Sequence, residues 1–246
     1  MLPTAFAETL AERVLAVLGP ALTSVILHGS LATGDYVPGA SDIDLLAVTE
    51  DRLTEAQCRG LIEAASTLGH QYAIPFDLRV VTRSAAENPV PEPPMELYVG
   101  FHPASRPEPE VAGPTQERDL VVEFWVCRDQ GRAIVGLQPS EVIGVVPNAW
   151  VTSVGKAYLE RWQRVPYDER VGELMVLIAC RVWRFHVEGV HSTKTVAGQW
   201  VLRQDPSLTA VTVALERRNS GSGQRFDEAE VQAVLSRALE VVQGDG

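Results

Sequence analysis

Asp42 and Asp44 stand one residue apart at the head of the apolar run IDLLAV. On a strand, positions i and i+2 share a side with Cα atoms about 6.5–7 Å apart, so the two carboxylates project together while Ile43 and Leu45 face the other way. Like charges held this close repel unless they are solvated or bridged by a cation. Mg²⁺ suits the pair, because it takes one or two carboxylates and fills its remaining positions with water and substrate phosphates. Upstream, Gly29-Ser30 closes the apolar stretch SVILH. A residue without Cβ lets backbone amides approach a ligand, and a serine hydroxyl can donate to a phosphate oxygen. The stretch is neither a Walker loop, which needs Gly-Lys-Ser/Thr, nor a G-x-G-x-x-G opening a helix straight after a strand. A third acid, Asp77 in PFDLRVV, begins another strand pattern. If that strand pairs beside 42–47, three carboxylates meet at one end of a sheet. Two could hold metal on a triphosphate and the third could accept a proton from an attacking hydroxyl. Taken singly, D-x-D also fits a solvated strand end and Gly-Ser a tight turn; the three elements together carry the reading. His28, beside the Gly-Ser pair, reads as a packed strand-end histidine.

The elements that must position these residues follow from periodicity. Leu10, Val14, Val17 and Leu18 share a helical face over residues 4–18, which Gly19-Pro20 closes. The strands SVILHGS and IDLLAV follow. Thr54 and Gln57 then form a capping box opening a helix to Leu68, with Gly69 as its stop. Phe76 to Thr82 is a third strand. Eight of the sixteen prolines lie between Pro89 and Pro114. Their fixed φ and missing amide donors predict an extended loop, with room for a short helix around Met95 to Val99. Helical patterning resumes from Gln116 to Arg132, and AIVG fits an edge strand. Beyond Ser140 the pattern is helical, over about 148–163, 168–188, 193–204, 206–217 and 227–243. The stretch LTAVTVAL within 206–217 is β-branched enough for a strand, and its helical neighbours favour helix. Asp168 and Asp227 are suited to N-caps. The expected fold class is α+β, with a mixed sheet and helices over 1–146 and an all-α bundle over 147–246.

Composition limits the function classes. A net charge of −11 argues against a nucleic-acid partner, because phosphate backbones demand a basic face, and it suits a cationic small substrate. Among the longest apolar stretches is LMVLIAC at 174–180, far short of the roughly 20 residues that span a bilayer, so no membrane role is expected. The N-terminus carries acids early and lacks a basic region ahead of an apolar block, which points to the cytoplasm. Cys58, Cys127 and Cys180 are odd in number and without a C-x-x-C pairing, and read as small buried hydrophobes.

Gly29-Ser30, then Ser41-Asp42-Ile43-Asp44-Leu45-Leu46, then an acid on a later strand, resembles the nucleotidyltransferase fold shared with DNA polymerase β. Nearly end to end, the chain resembles the aminoglycoside 3''/9-adenylyltransferases, the streptomycin and spectinomycin resistance enzymes. AIVGLQPSEVIGVVP is similar to that family's segment leading out of its first domain, and CRVWRFHVEGVHSTKTVAGQW to its R-I-W and S/P-K-D-x-A-x-x-W pattern. The resemblance implies Mg²⁺ held by Asp42 and Asp44, ATP phosphates contacted by Gly29, Ser30 and Ser41, and Arg181 and Lys194 binding ATP from the helical domain. It places Asp77 at the catalytic base, where the family usually has Glu. Acids near the acceptor would be Glu96, Asp168 and Glu173, while Trp183 and Trp200 suit the bundle core. Arg118 stands where streptomycin-accepting relatives have tryptophan, and Val171 and Leu174 where they have acids, so spectinomycin or another cationic or polyhydroxylated acceptor fits at least as well. The implied activity is transfer of AMP from ATP to an antibiotic hydroxyl by a monomer. The alternatives are a same-fold transferase acting on another metabolite or a protein, and a nucleotide-binding regulator that transfers nothing.

Overall fold

A computed structural model describes residues 1–106, 108–221 and 223–244. The chain divides into two compact units, one of Met1–Tyr36 with Ser41–Val146 and the other of Val37–Ala40 with Pro147–Gly246. Among the described residues no helix is long and apolar enough to cross a membrane.

In the first unit, α1 (Pro3–Leu18) leads through a 3₁₀ turn at Gly19–Ala21 into β1 (Leu22–His28) and the short α2 (Gly29–Thr33). Next come β2 (Ile43–Thr49), α3 (Glu55–Tyr72), β3 (Phe76–Thr82), α4 (Arg83–Glu87), β4 (Pro94–Met95) and β5 (Leu97–Phe101). β6 (Glu110–Ala112), β7 (Thr115–Gln116), α5 (Leu120–Gln130), β8 (Arg132–Gly136) and α6 (Pro139–Val142) complete the unit. Six strands form one mixed sheet in the order β6-β5-β3-β2-β1-β8, with β2 and β3 parallel and the other pairs antiparallel. Ile43, Leu45, Phe76 and Leu78 point to one face, where they pack with Phe6, Leu10, Leu61 and Leu68 of α1 and α3. That alternation leaves Asp44 and Asp77 on the opposite face, which α5 covers.

Three features depart from the sequence reading. The proline-rich segment is not a loop with a helix at Met95–Val99. It supplies β5, whose register runs Leu78 to Val99 and Val80 to Leu97, because its prolines lie outside 97–101 and leave a five-residue run able to pair. Gly69 does not end α3, which continues to Tyr72 and stops at Ala73 with φ 51°. A Cβ on Gly69 would lie 2.9 Å from Phe101 and 3.0 Å from Phe76. Its lack of a side chain therefore serves helix-to-sheet packing rather than termination. Gly29-Ser30 likewise opens α2 instead of forming a bare turn.

The second unit is helical: α7 (Asn148–Arg164), α8 (Gly172–Glu188), α9 (Lys194–Gln204), α10 (Thr209–Ser220) and α11 (Glu228–Gln243). Leu159, Leu177, Trp183, Trp200, Val211 and Leu235 share its core. The rings of Trp183 and Trp200 meet edge to face at 6.1 Å. The β-branched stretch forms α10, whose Val211 and Val213 are buried, so packing overrides local preference.

Replacing Gly69 with Leu should force Phe76 and Phe101 apart and destabilise the first unit by about 1–3 kcal/mol. A lowered urea midpoint with unchanged slope is the expected result.

Candidate active site

Strand pairing aligns one row of residues across the sheet. His28 lies opposite Asp44, Asp44 opposite Asp77, Asp77 opposite Gly100, and Gly100 opposite Glu110. Directly paired residues face the same side, so the Asp44 and Asp77 side chains stand on neighbouring strands about 4.8 Å apart. Asp42 immediately precedes β2. A carboxylate oxygen from Asp42, one from Asp77 and a ring nitrogen of His102 all lie within 4.8 Å of one another.

Gly29 has φ 65°, and a Cβ built on it would fall 1.9 Å from Asp44 Oδ2. Backbone conformation and space both demand glycine there. The neighbouring Ser30 Oγ is shielded from solvent and has no hydrogen-bond partner. Ser41, next to Asp42, is buried.

Asp77 is gripped through one oxygen. Tyr98 Oη donates to Oδ1 at 2.7 Å, and His102 Nε2 meets the same oxygen at 2.9 Å. Gly100 makes the first contact possible, since a Cβ on it would lie 2.1 Å from Tyr98 Oη. Burial pushes the Asp77 carboxyl up, but the His102 hydrogen bond, Arg79 and the Tyr98 hydroxyl together hold it below the usual range. The same bond raises His102. Behind Asp77, Arg79 pairs with Glu123 at 2.8 Å and lies 5.0 Å from the centre of the Tyr98 ring. Burial lifts Glu123 to about 7, with Arg79 pulling the other way. His28 is pushed by burial down to about 3, so its imidazole is neutral at pH 7 and brings no positive charge to phosphate.

Asp44 is raised well above the ordinary carboxylate range, first by burial and then by Asp42, Glu123 and Asp77, with Arg79 opposing. A recessed carboxylate among other acids gains from a divalent cation, and the oxygen donors of Asp42 and Asp44 match the preference of Mg²⁺ for hard ligands. His102 does not belong to that donor set. Asp77 Oδ1 already accepts the Tyr98 proton, so the bond to His102 requires Nε2–H to donate, which leaves that nitrogen no lone pair for a metal.

Glu96 is held by partners of its own. It sits next to Val80, three residues along β3 from Asp77, and is 8% exposed. Its carboxylate accepts from Arg52 Nε at 3.2 Å and Leu53 N at 3.3 Å, tying down the chain ahead of α3. In the helical unit, Arg181 is half-buried on α8 and Lys194 is the first residue of α9, behind the N-cap Thr193. Asp168 caps the 3₁₀ turn Glu169–Val171 and pairs with Arg170 at 2.7 Å, while Glu173 lies 4.0 Å from the buried Arg218.

Sequence reasoning missed Tyr98 and Gly100 of β5 and His102 just past its end, spaced by two, because the surrounding prolines suggested a loop. It also passed over Arg79, two residues after Asp77, and Glu123, the lone acid within LVVEFWVC. A charge in so apolar a helix was the available signal.

Residues 7–96 match the nucleotidyltransferase domain family, a segment that contains Gly29, Asp42, Asp44 and Asp77. That segment holds β1, β2 and β3 of the mixed sheet, and with them the carboxylate row. The chain shares the fold of spectinomycin adenyltransferase AAD(9) from Enterococcus faecialis, solved with ATP and spectinomycin. The TM-score is 0.76 at 15% identity, covering 98% of this chain and 99% of that chain. A toxin-antitoxin structure with AMP-PNP matches at 16% identity over 63% of this chain and 90% of that chain, with a TM-score of 0.31 that is too low to relate the folds.

Gly29→Ala should destabilise by about 1–2 kcal/mol through the left-handed backbone alone, and by more through the Asp44 contact. In an Asp44→Ala background the excess should vanish, so a double-mutant cycle of urea unfolding should return a clear coupling energy. Glu123 gives a pH signature. Folded, it keeps its proton to about pH 7 against an ordinary value of 4.5, so the folded state binds more protons across that window and loses stability as pH rises through it. His28 works in the opposite sense, from about 3 to 6.5. Glu123 Oε2 lies 3.9 Å from His28 Nε2, so the comparison with Glu123→Gln is made in a His28→Gln background, which removes the imidazole's contribution. The parent minus variant difference in unfolding free energy should therefore fall between pH 4.5 and pH 7 in chelator-containing buffer.

Proposed function

We propose that the chain is an adenylyltransferase that moves AMP from ATP to a hydroxyl of a cationic or polyhydroxylated small molecule, of the spectinomycin or streptomycin type. The observation that carries this reading is the row that sets Asp44 against Asp77 beside Asp42, with Gly29 shaped around the Asp44 carboxylate. Such a site suits displacement at phosphorus, where positioning and charge compensation supply most of the catalysis.

In this reading the acceptor oxygen attacks the α-phosphorus in line and pyrophosphate leaves. Asp42 and Asp44 would hold Mg²⁺, which when bound offsets the charge on the phosphates. Gly29, Ser30 and Ser41 would line the phosphate contacts, the unused Ser30 hydroxyl being a ready donor. Arg181 and Lys194 are the proposed nucleotide-binding cations of the helical unit, and Asp168 and Glu173 its acids for a cationic acceptor. By resemblance Asp77 takes the position of the family's base, and it is already committed to Tyr98 and His102. Spectinomycin is favoured among acceptors by Arg118, Val171 and Leu174, which replace the aromatic and acidic residues of streptomycin-accepting relatives. A cytoplasmic monomer would serve this role, with ATP and the acceptor as its partners.

Asp42→Asn should lower the rate of magnesium-dependent pyrophosphate release with spectinomycin by at least about 10²-fold. Its metal-free stability should be unchanged or slightly raised, since one like charge leaves the cluster. A variant that transfers AMP at the wild-type rate would sink the assignment.

A further inference from the structure

On the adenylyl-transfer reading, the family's carboxylate base is shortened here by one methylene and tied up by two donors. The Asp77 side chain is 14% exposed, whereas that of His102 is 32% exposed. A cavity of about 270 Å³ opens beside them, lined by Gly100, His102, Ser105, Arg106, Glu108 and Glu110. Asp77 does not line it. Of the two side chains, only the imidazole borders the cavity. The hydrogen bonding also fixes which ring nitrogen is basic: Nε2 carries the proton given to Asp77 Oδ1, so neutral His102 keeps its lone pair on Nδ1. The His102 carbonyl accepts from Ser105 N at 3.0 Å and Arg106 N at 2.8 Å, which fixes the main chain from which the ring reaches Asp77. A base oriented by a buried carboxylate that does not itself meet the substrate is the arrangement that activates hydroxyls in nucleophilic catalysis.

We propose that His102 Nδ1 takes the proton of the acceptor hydroxyl, with Asp77 as its positioning partner. The hydroxyl oxygen bonds to the α-phosphorus, and the bond from that phosphorus to the bridging oxygen breaks with its electron pair leaving on pyrophosphate. The hydroxyl proton passes to Nδ1. The imidazolium so formed is held by the Asp77 carboxylate, which Tyr98 keeps in place. Glu108, in the same cavity, adds negative potential suited to a cationic acceptor, while Glu110 is paired with Arg106 at 3.1 Å.

Two measurements on the full chain test this. Nitrogen-15 spectra of histidine-labelled protein, which need no turnover, should show neutral His102 protonated at Nε2 both without and with added Mg²⁺. The opposite tautomer, or a metal-bound Nε2, overturns the proposal. In the second, His102→Gln keeps a donor for Asp77 and removes the basic nitrogen. It should lower kcat for AMP transfer to spectinomycin by about 10²–10⁴-fold while the KM for ATP stays within about twofold, and His102→Ala should behave alike. An active wild type with an equally active His102→Gln overturns the role of His102 and leaves the transferase reading intact. A wild type that transfers AMP to no acceptor overturns both.

Discussion

The first unit is organised around a charge problem. Its two central parallel strands place aspartates directly opposite each other, on a sheet face that a helix covers, and a third aspartate immediately precedes one of those strands. Such a row is tolerable only where each carboxylate has a counterpart. Arg79 is the nearby cation, and it is shared: its shortest ion pair is with Glu123, while its charge also bears on Asp77 and Asp44. Breaking a buried pair by removing one partner typically costs about 3–5 kcal/mol, because a charge is left uncompensated. The packing of α5 against the sheet therefore depends on the same residues that shape the carboxylate row.

Three glycines solve the steric side of that problem. Gly29 yields its space to the Asp44 carboxylate, Gly100 opens the route from Tyr98 to Asp77, and Gly69 lets α3 lie against Phe76 and Phe101 on the reverse face. Each acts by an absent Cβ at a close approach. Only at Gly29 does a positive φ add a second demand.

The fold class was legible because both periods were strong: alternation in IDLLAV and FDLRVV, helical spacing in α1 and throughout the second unit. Asp42, Asp44 and Asp77 were legible as a group because strand geometry puts i and i+2 on one side and the next strand signal carried another acid. What was not legible depends on contacts distant in sequence. Prolines at 89–94 and 103–114 concealed β5, and with it the approach of Tyr98 and His102 to Asp77 across more than twenty residues. The partners of Glu96 were hidden for the complementary reason. Its partners, Arg52 and Leu53, lie more than forty residues upstream and reach it only through the pairing of β3 with β5.

The opposed ionisation of the two facing aspartates divides their roles. Groups in one site whose surroundings drive their pKa values apart are suited to different tasks. Asp44 is raised by burial and then by its acidic neighbours, and a bound cation would relieve it. Asp77 is lowered because His102, Arg79 and Tyr98 already compensate it, so a second cation there has less to gain. Charge thus directs a metal toward the β2 end of the row and leaves the β3 end to handle a proton. The same compensation weakens Asp77 as a base and strengthens His102, since the hydrogen bond that lowers one raises the other. Basicity has moved outward along that bond, from a recessed carboxylate to a ring that borders a cavity.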